Sequence, residues 1–311
     1  MIVFACCLPT TPEKRTLIKT CPHAALIYRK GDALMIELPE ACVLSEQINK
    51  TIVGKTIKNA KANAHPHGFA WYTGDPALYS QKLTGKMITG SAAYGGHPEI
   101  WAEEMRVSFC DGVRTRYLES DEKRPDKHQL LLEFDDGSAI VCSVQMYGGI
   151  FAFEEGSKDD FYYIVAKEKP SPYTDAFDRK YFDSLRQGVK QTLSVKAFLA
   201  TEQRIPGFGN GVLHDTIWNA RVHPKRKLGT LTDSNMEDLF SSLKSTLKDM
   251  RDGGGRDTER DLFGKPGSYQ TILSSKTLAY QCRDCGGGLK REAYLGGNIY
   301  FCPVCQPLER K

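Results

Sequence analysis

No apolar run in this chain approaches the roughly 18 residues that a membrane-crossing helix requires, and the apolar opening, Met1 to Cys7, is short and lacks the basic flank of a secretory signal. A cysteine framework is missing too: Cys6, Cys7, Cys21, Cys42, Cys110 and Cys142 are scattered without regular spacing, as in a reducing compartment where disulfides are not expected. Charge of one sign does not dominate, with 42 Lys and Arg against 38 Asp and Glu. These absences predict a globular cytoplasmic protein. The length of 311 residues leaves room for two domains and a small appendage.

The balanced charge conceals an asymmetry. Residues 1–175 carry 20 Lys and Arg against 23 Asp and Glu, whereas the remainder carries 22 against 15. The C-terminal half is therefore the basic half, which favours a polyanionic partner.

Along the chain, residues 1–34 hold a Cys-Cys pair and a Pro-Thr-Thr-Pro stretch but no periodicity that would build an element. They are expected to be an extension outside the functional protein, with translation starting at Met35. Arg29-Lys30-Gly31-Asp32 can be encoded by a purine-rich stretch like a bacterial ribosome-binding site; a genuine N-terminal tail is the other reading. Residues 35–169 predict a β-sandwich domain. An early helix near Glu40 to Asn49 precedes short strands, of which Leu130–Phe134 and Ala139–Val144 form a hairpin across Asp135-Asp136-Gly137, continued by Gly148–Phe153.

A linker, Lys169-Pro170-Ser171-Pro172, opens a helical region over 170–275, where Met236, Leu239, Phe240, Leu243, Leu247 and Met250 recur at helical spacing. Ile205-Pro206-Gly207-Phe208-Gly209-Asn210-Gly211 interrupts the pattern and predicts a sharp turn between two helices. Such a turn exposes backbone amides at a helix N-terminus, where an anion is favoured.

Residues 276–311 carry the strongest local signal. Cys282-Arg283-Asp284-Cys285 and Cys302-Pro303-Val304-Cys305 are two Cys-x-x-Cys knuckles sixteen residues apart, the spacing of a zinc ribbon. Gly286, Gly287 and Gly288 let the backbone double back, and Leu289 to Phe301 reads as a hairpin. One zinc ion held by four sulfurs has no open position, so the expected role is structural. The predicted fold class is α+β: sandwich, helical domain and ribbon.

Three motifs converge in order: Glu37-Leu38-Pro39-Glu40 after a methionine, Gln203 to Asn210 between helices, and a ribbon ending Tyr300-Phe301-Cys302-Pro303-Val304-Cys305-Gln306. With Asp175-Ala176-Phe177, His223-Pro224, Gly253-Gly254-Gly255 and Gly264-Lys265-Pro266-Gly267, they resemble the Fpg/Nei family of bifunctional DNA glycosylases over nearly all of Met35 to Gln306. The resemblance implies a β-sandwich, a helix-two-turn-helix domain and a zinc finger. It also implies a monomer acting in the bacterial cytosol or nucleoid on duplex DNA that contains a damaged base or abasic site. In that family an N-terminal amine attacks C1′ of the flipped nucleotide, expels the base, forms a Schiff base and permits strand cleavage. Carried over by position, Ile36 stands at the amine position and Glu37 is the proton-handling residue. Lys86 is the candidate strand lysine, and Asn210 with Gly209 is the phosphate-binding turn. Tyr147 and Gln145 are candidates for the void left by the flipped base.

Departures accompany the match. Members usually begin with Pro where this chain has Ile36, and methionine before Ile is expected to be retained, displacing the amine by one residue. The family's finger arginine is replaced by Gly297. A catalytically silent DNA-binding relative with the same fold is therefore the alternative. Elsewhere, His65 and His67 read as surface, Trp71, Trp101 and Trp218 as core, and Arg256 to Asp261 as a solvated salt-bridged turn.

Overall fold

A computed structural model describes residues 35–308, so the extension expected over 1–34 lies outside the described residues. Pro39 pre-sets the first turn of helix α1 (Leu38–Thr51), and this helix straddles two cores. Leu38 packs with Phe177, Phe182 and Phe198, whereas Leu44, Ile48 and Ile52 pack beneath a sheet.

That sheet contains β1 (Ile57–Ala62), β2 (Ala70–Tyr72), β3 (Ile88–Tyr94), β4 (His97–Ala102), β5 (Met105–Leu118), β6 (Leu130–Phe134) and β7 (Ala139–Glu154), with a short helix α2 (Tyr79–Leu83) ahead of β3. The order is β1-β6-β7-β5-β4-β3, and β2 runs parallel to β7. The hairpin expected from sequence is β6–β7, with Gly137 of its turn at φ +85°.

The long β5–β7 pair changes register once. Asp111 faces Gly148, and pairing resumes at Val113 opposite Val144, so Gln145, Met146 and Tyr147 bulge opposite Gly112. On one side of this bulge β4 pairs with the first half of β5; on the other, β6 pairs with the first half of β7. Two half-sheets in a sandwich-like arrangement result.

Helix α3 (Phe161–Glu168) leads from the sheet into α4 (Arg179–Ser184), α5 (Val195–Ala200), α6 (Asn210–Asn219) and α7 (Asp233–Asp252). The predicted stripe on α7 is buried at Met236, Leu239, Leu243, Leu247 and Met250. Beyond α7 the chain returns to the sheet: Leu262 joins the sheet core, and its carbonyl accepts from Tyr117 N at 2.8 Å.

The ribbon strands are β8 (Lys290–Tyr294) and β9 (Gly297–Phe301). Their small core contains Cys282, Cys302, Tyr300 and Trp218 from α6. Buried Asp215 on α6 accepts from Ile272 N and Leu273 N at 2.9 and 2.8 Å, and Gln306 donates to Val222 O at 2.9 Å, so the ribbon is docked by hydrogen bonds from both ends. Of the three tryptophans only Trp218 is fully buried; Trp71 and Trp101 lie half-buried on the sheet.

Candidate active site

Glu37 is the N-cap of α1, yet its side chain caps a different helix. Its two carboxylate oxygens accept from Gly211 N at 2.9 Å and Val212 N at 2.8 Å, the second and third residues of α6. A carboxylate at a helix N-terminus gains both charge-assisted hydrogen bonds and the helix dipole. Two of the amides expected from sequence to face an external anion are therefore taken internally.

The glycines of the turn permit this approach. A Cβ at Gly209 would fall 2.5 Å from Glu37 Oε1, and one at Gly211 would fall 1.4 Å from Arg256 Nη1. Gly207, at φ +75°, would meet Gly95 and Gly96 of the β3–β4 turn at under 3 Å, so the same loop is also wedged against the sheet.

Arg256 overturns its expected role. It is 3% exposed rather than part of a solvated turn. Its guanidinium forks onto Glu40, with Nε to Oε1 at 2.9 Å and Nη2 to Oε2 at 2.8 Å, and lies 3.6 Å from Glu37. A buried guanidinium needs such partners, because desolvating it alone is prohibitive. The helical spacing of charges in this segment carried no information about that tertiary contact. Burial holds the Glu37 carboxyl above its ordinary range, against the lowering pull of Arg256 and the two amides.

Met35, Ile36, Glu40, Gly112, Arg114, Gln145 and Glu259 line one cavity. Ile36 N donates to Asp111 O at 2.9 Å, so the nitrogen at the expected amine position is here a hydrogen-bonded amide. Gln145 lines the cavity from the bulge of β7, and Tyr147, in the same bulge, packs against Trp71 at 5.8 Å between ring centroids. Met146 between them is exposed, a bulge residue that sequence reasoning passed over.

Lys86 is not brought to this site. Its ammonium pairs with Glu104 at 2.5 Å and Glu103 at 3.4 Å in the β4–β5 turn. The opposite end of the β3–β4 hairpin, Gly96, is the end beside Ile36 O. The length of β3, seven residues or about 20 Å, separates the two ends.

Asn210 is the exposed first residue of α6, with Gly209 as N-cap. A Cβ at Gly297 would fall 3.0 Å from Asn210 Nδ2 and 3.8 Å from Lys196 Nζ, so the ribbon hairpin abuts the inter-helix turn. Lys196 was not singled out from sequence. It donates to Tyr294 O at 3.0 Å, and burial lowers it to about 8. Cys282, Cys285, Cys302 and Cys305 place their sulfurs within 4.8 Å of one another, a cluster able to hold a metal ion. Among the described residues, no helix is long and apolar enough to cross a membrane.

No family model matches the chain. It is 30% identical over 283 residues to the formamidopyrimidine-DNA glycosylase of Lactococcus lactis subsp. cremoris, covering 88% of this chain and 99% of that protein. The structure of Lactococcus lactis Fpg with abasic-site DNA matches with a TM-score of 0.75 at 25% identity, over 87% of this chain and 99% of that one. A complex of the same enzyme with DNA containing N7-benzyl-Fapy-dG matches with a TM-score of 0.75 at 26% identity and the same coverage.

Proposed function

The chain belongs to the formamidopyrimidine-DNA glycosylase family, and we propose that it excises damaged bases from duplex DNA and cleaves the abasic site with the α-amine of a form that begins at Met35. The observation that carries this reading is the cavity at Met35 and Ile36, next to buried Glu37 and bordering the sheet core through Leu44 and Val113. A chain maturing at Met35 would present that residue's amine, whose pKa near 8 leaves a useful neutral fraction. Ile36, at the family's amine position, would hold the backbone through Asp111.

In this mechanism the amine attacks C1′, the base leaves, and Glu37 moves protons at the sugar. Asn210 and Lys196, at the turn where the ribbon meets α6, would bind flanking phosphate. Gln145 and Tyr147, with exposed Met146, would fill the vacated stack from the bulge. Residues 35–169 act as the sandwich domain, 170–275 as the helix-two-turn-helix domain and 276–311 as the finger, with 1–34 an extension. The protein acts as a monomer in the bacterial cytosol at the nucleoid.

Zinc suits the four sulfurs. Their 3.7 and 3.5 Å separations across Cys282–Cys305 and Cys285–Cys302 approach the edge of about 3.8 Å for a tetrahedron with Zn–S bonds of about 2.3 Å. With all four positions sulfur, the ion would organise the finger and take no chemical part.

The test is borohydride trapping on an abasic duplex, using the full chain and a form beginning at Met35. A covalent adduct is expected with the Met35 form, and Glu37→Gln should abolish base excision while DNA binding persists. Absence of any adduct from a Met35 form that binds the duplex would overturn the amine mechanism.

A further inference from the structure

Three carboxylates, Glu37, Glu40 and Glu259, gather around the single guanidinium of Arg256, and they are not equally compensated. Glu40 takes the bidentate fork. Glu37 has an amide donor on each oxygen. Glu259 has neither, and only the neighbouring Thr258 side chain hydrogen-bonds to it: its Oε1 lies 3.9 Å from Arg256 Nη2, beyond hydrogen-bond reach, and its side chain is only 12% exposed. It lines the same cavity as Met35 and Ile36. Besides Glu40, the other charged side chains on that cavity, Arg114 from β5 and Arg260 from its own loop, are exposed and screened by solvent, and in the Met35 form the α-amine joins them, neutral when it attacks.

We propose that Glu259 keeps its proton at neutral pH and is a further proton-handling residue of this cavity, giving that proton to the base as it leaves C1′. This rests on the glycosylase reading above. The lone pair of the amine nitrogen forms the bond to C1′, and the electron pair of the C1′–base bond departs with the base nitrogen. The Glu259 proton neutralises that nitrogen, and a proton released from the amine nitrogen restores the acid. Glu37 remains the group at the sugar, so departure of the base and opening of the sugar have separate proton carriers. Electrostatics agree with the geometry. Burial raises the Glu259 carboxyl to about 8; Arg256 and the Thr258 hydrogen bond oppose this, while Glu40 and Glu37 push the same way.

Two measurements test it. In the zinc-loaded full chain, the infrared carbonyl band of a protonated carboxyl should titrate near pH 8 and be absent from Glu259→Gln. Because the folded state then binds a proton that the unfolded state has lost, stability should fall as pH rises from about 4.5 to about 8, and Glu259→Gln should flatten that fall. In the Met35 form, single-turnover release of a damaged base should slow about a hundredfold in Glu259→Gln, with DNA affinity unchanged and the decline above pH 8 removed. Glu259→Asp should restore part of the rate. Trapping on abasic DNA, where no base departs, should change far less. Wild-type excision with an unaltered pH profile in Glu259→Gln overturns the proposal, as does absence of the carboxyl titration. Failure of every form to excise or trap overturns the parent reading instead, and the infrared titration then decides alone whether Glu259 holds the proton.

Discussion

The four-cysteine ribbon and the Glu37–Arg256 junction are built in opposite ways. All four ribbon sulfurs come from one stretch of chain, in two knuckles whose spacing already implies a closed site. The junction joins the start of α1, the turn before α6 and the loop after α7, so that Glu40 meets a partner 216 residues away. A local site advertises itself in the sequence; a junction of distant segments does not, because its geometry is a product of both cores packing on α1.

Breaking the ribbon should have the largest effect. Cys302→Ser should lose the zinc and with it the folding free energy of the finger, about 10 kcal/mol or more for sites of this kind. Elemental analysis should fall from one zinc per chain toward none, and duplex affinity should fall with it. The helical core around α7 should still melt cooperatively, since it contains no ribbon residue.

Breaking the junction should be milder but wider in reach. Arg256→Met leaves the buried carboxylates of Glu40 and Glu37 without their cation and should cost about 3–5 kcal/mol. Thermal unfolding should show the sheet and helical parts destabilised together while zinc content stays at one. If Arg256→Met instead lowered only zinc content, the contrast between the two regions would collapse. Gly211→Ala, which drives a Cβ into the same guanidinium, should reproduce the defect.

Smaller effects sharpen the same contrast at the surface. Asn210→Ala should weaken binding to damaged and undamaged duplex alike by about 1 kcal/mol, and should leave the slope of log K against log salt nearly unchanged, because an uncharged amide neutralises no phosphate. Lys86→Ala should leave binding and trapping within about twofold of the parent, because an exposed ion pair away from the cavity contributes little. A large loss of trapping in Lys86→Ala would mean that the hairpin is reversed relative to the DNA.

Much of the fold was legible. The β6–β7 hairpin, the α7 stripe and the glycine turn before α6 each follow from local periodicity or turn chemistry. The candidate site was legible only in part. Glu37 and Asn210 could be named from motif position, whereas Arg256 and Glu259 looked like alternating surface charge. Lys86 was drawn in by its neighbouring glycine, although strand direction carries it to the far end of the hairpin. Lys196 has no local signature; only the contact of the ribbon hairpin with the inter-helix turn picks it out.

By itself, then, the sequence determined what depends on near neighbours: the metal-binding spacing, the helical and strand periods, and the sharp turn at Gly207 to Gly211. Tertiary structure alone decided which charge is buried against which, that the amides of α6 belong to Glu37, and that Met35 and Glu259 share a cavity. The reason is physical. Periodicity and turn chemistry act over a few residues, but whether a carboxylate keeps its proton depends on burial and on every charge within several ångströms, which the chain supplies from segments more than two hundred residues apart.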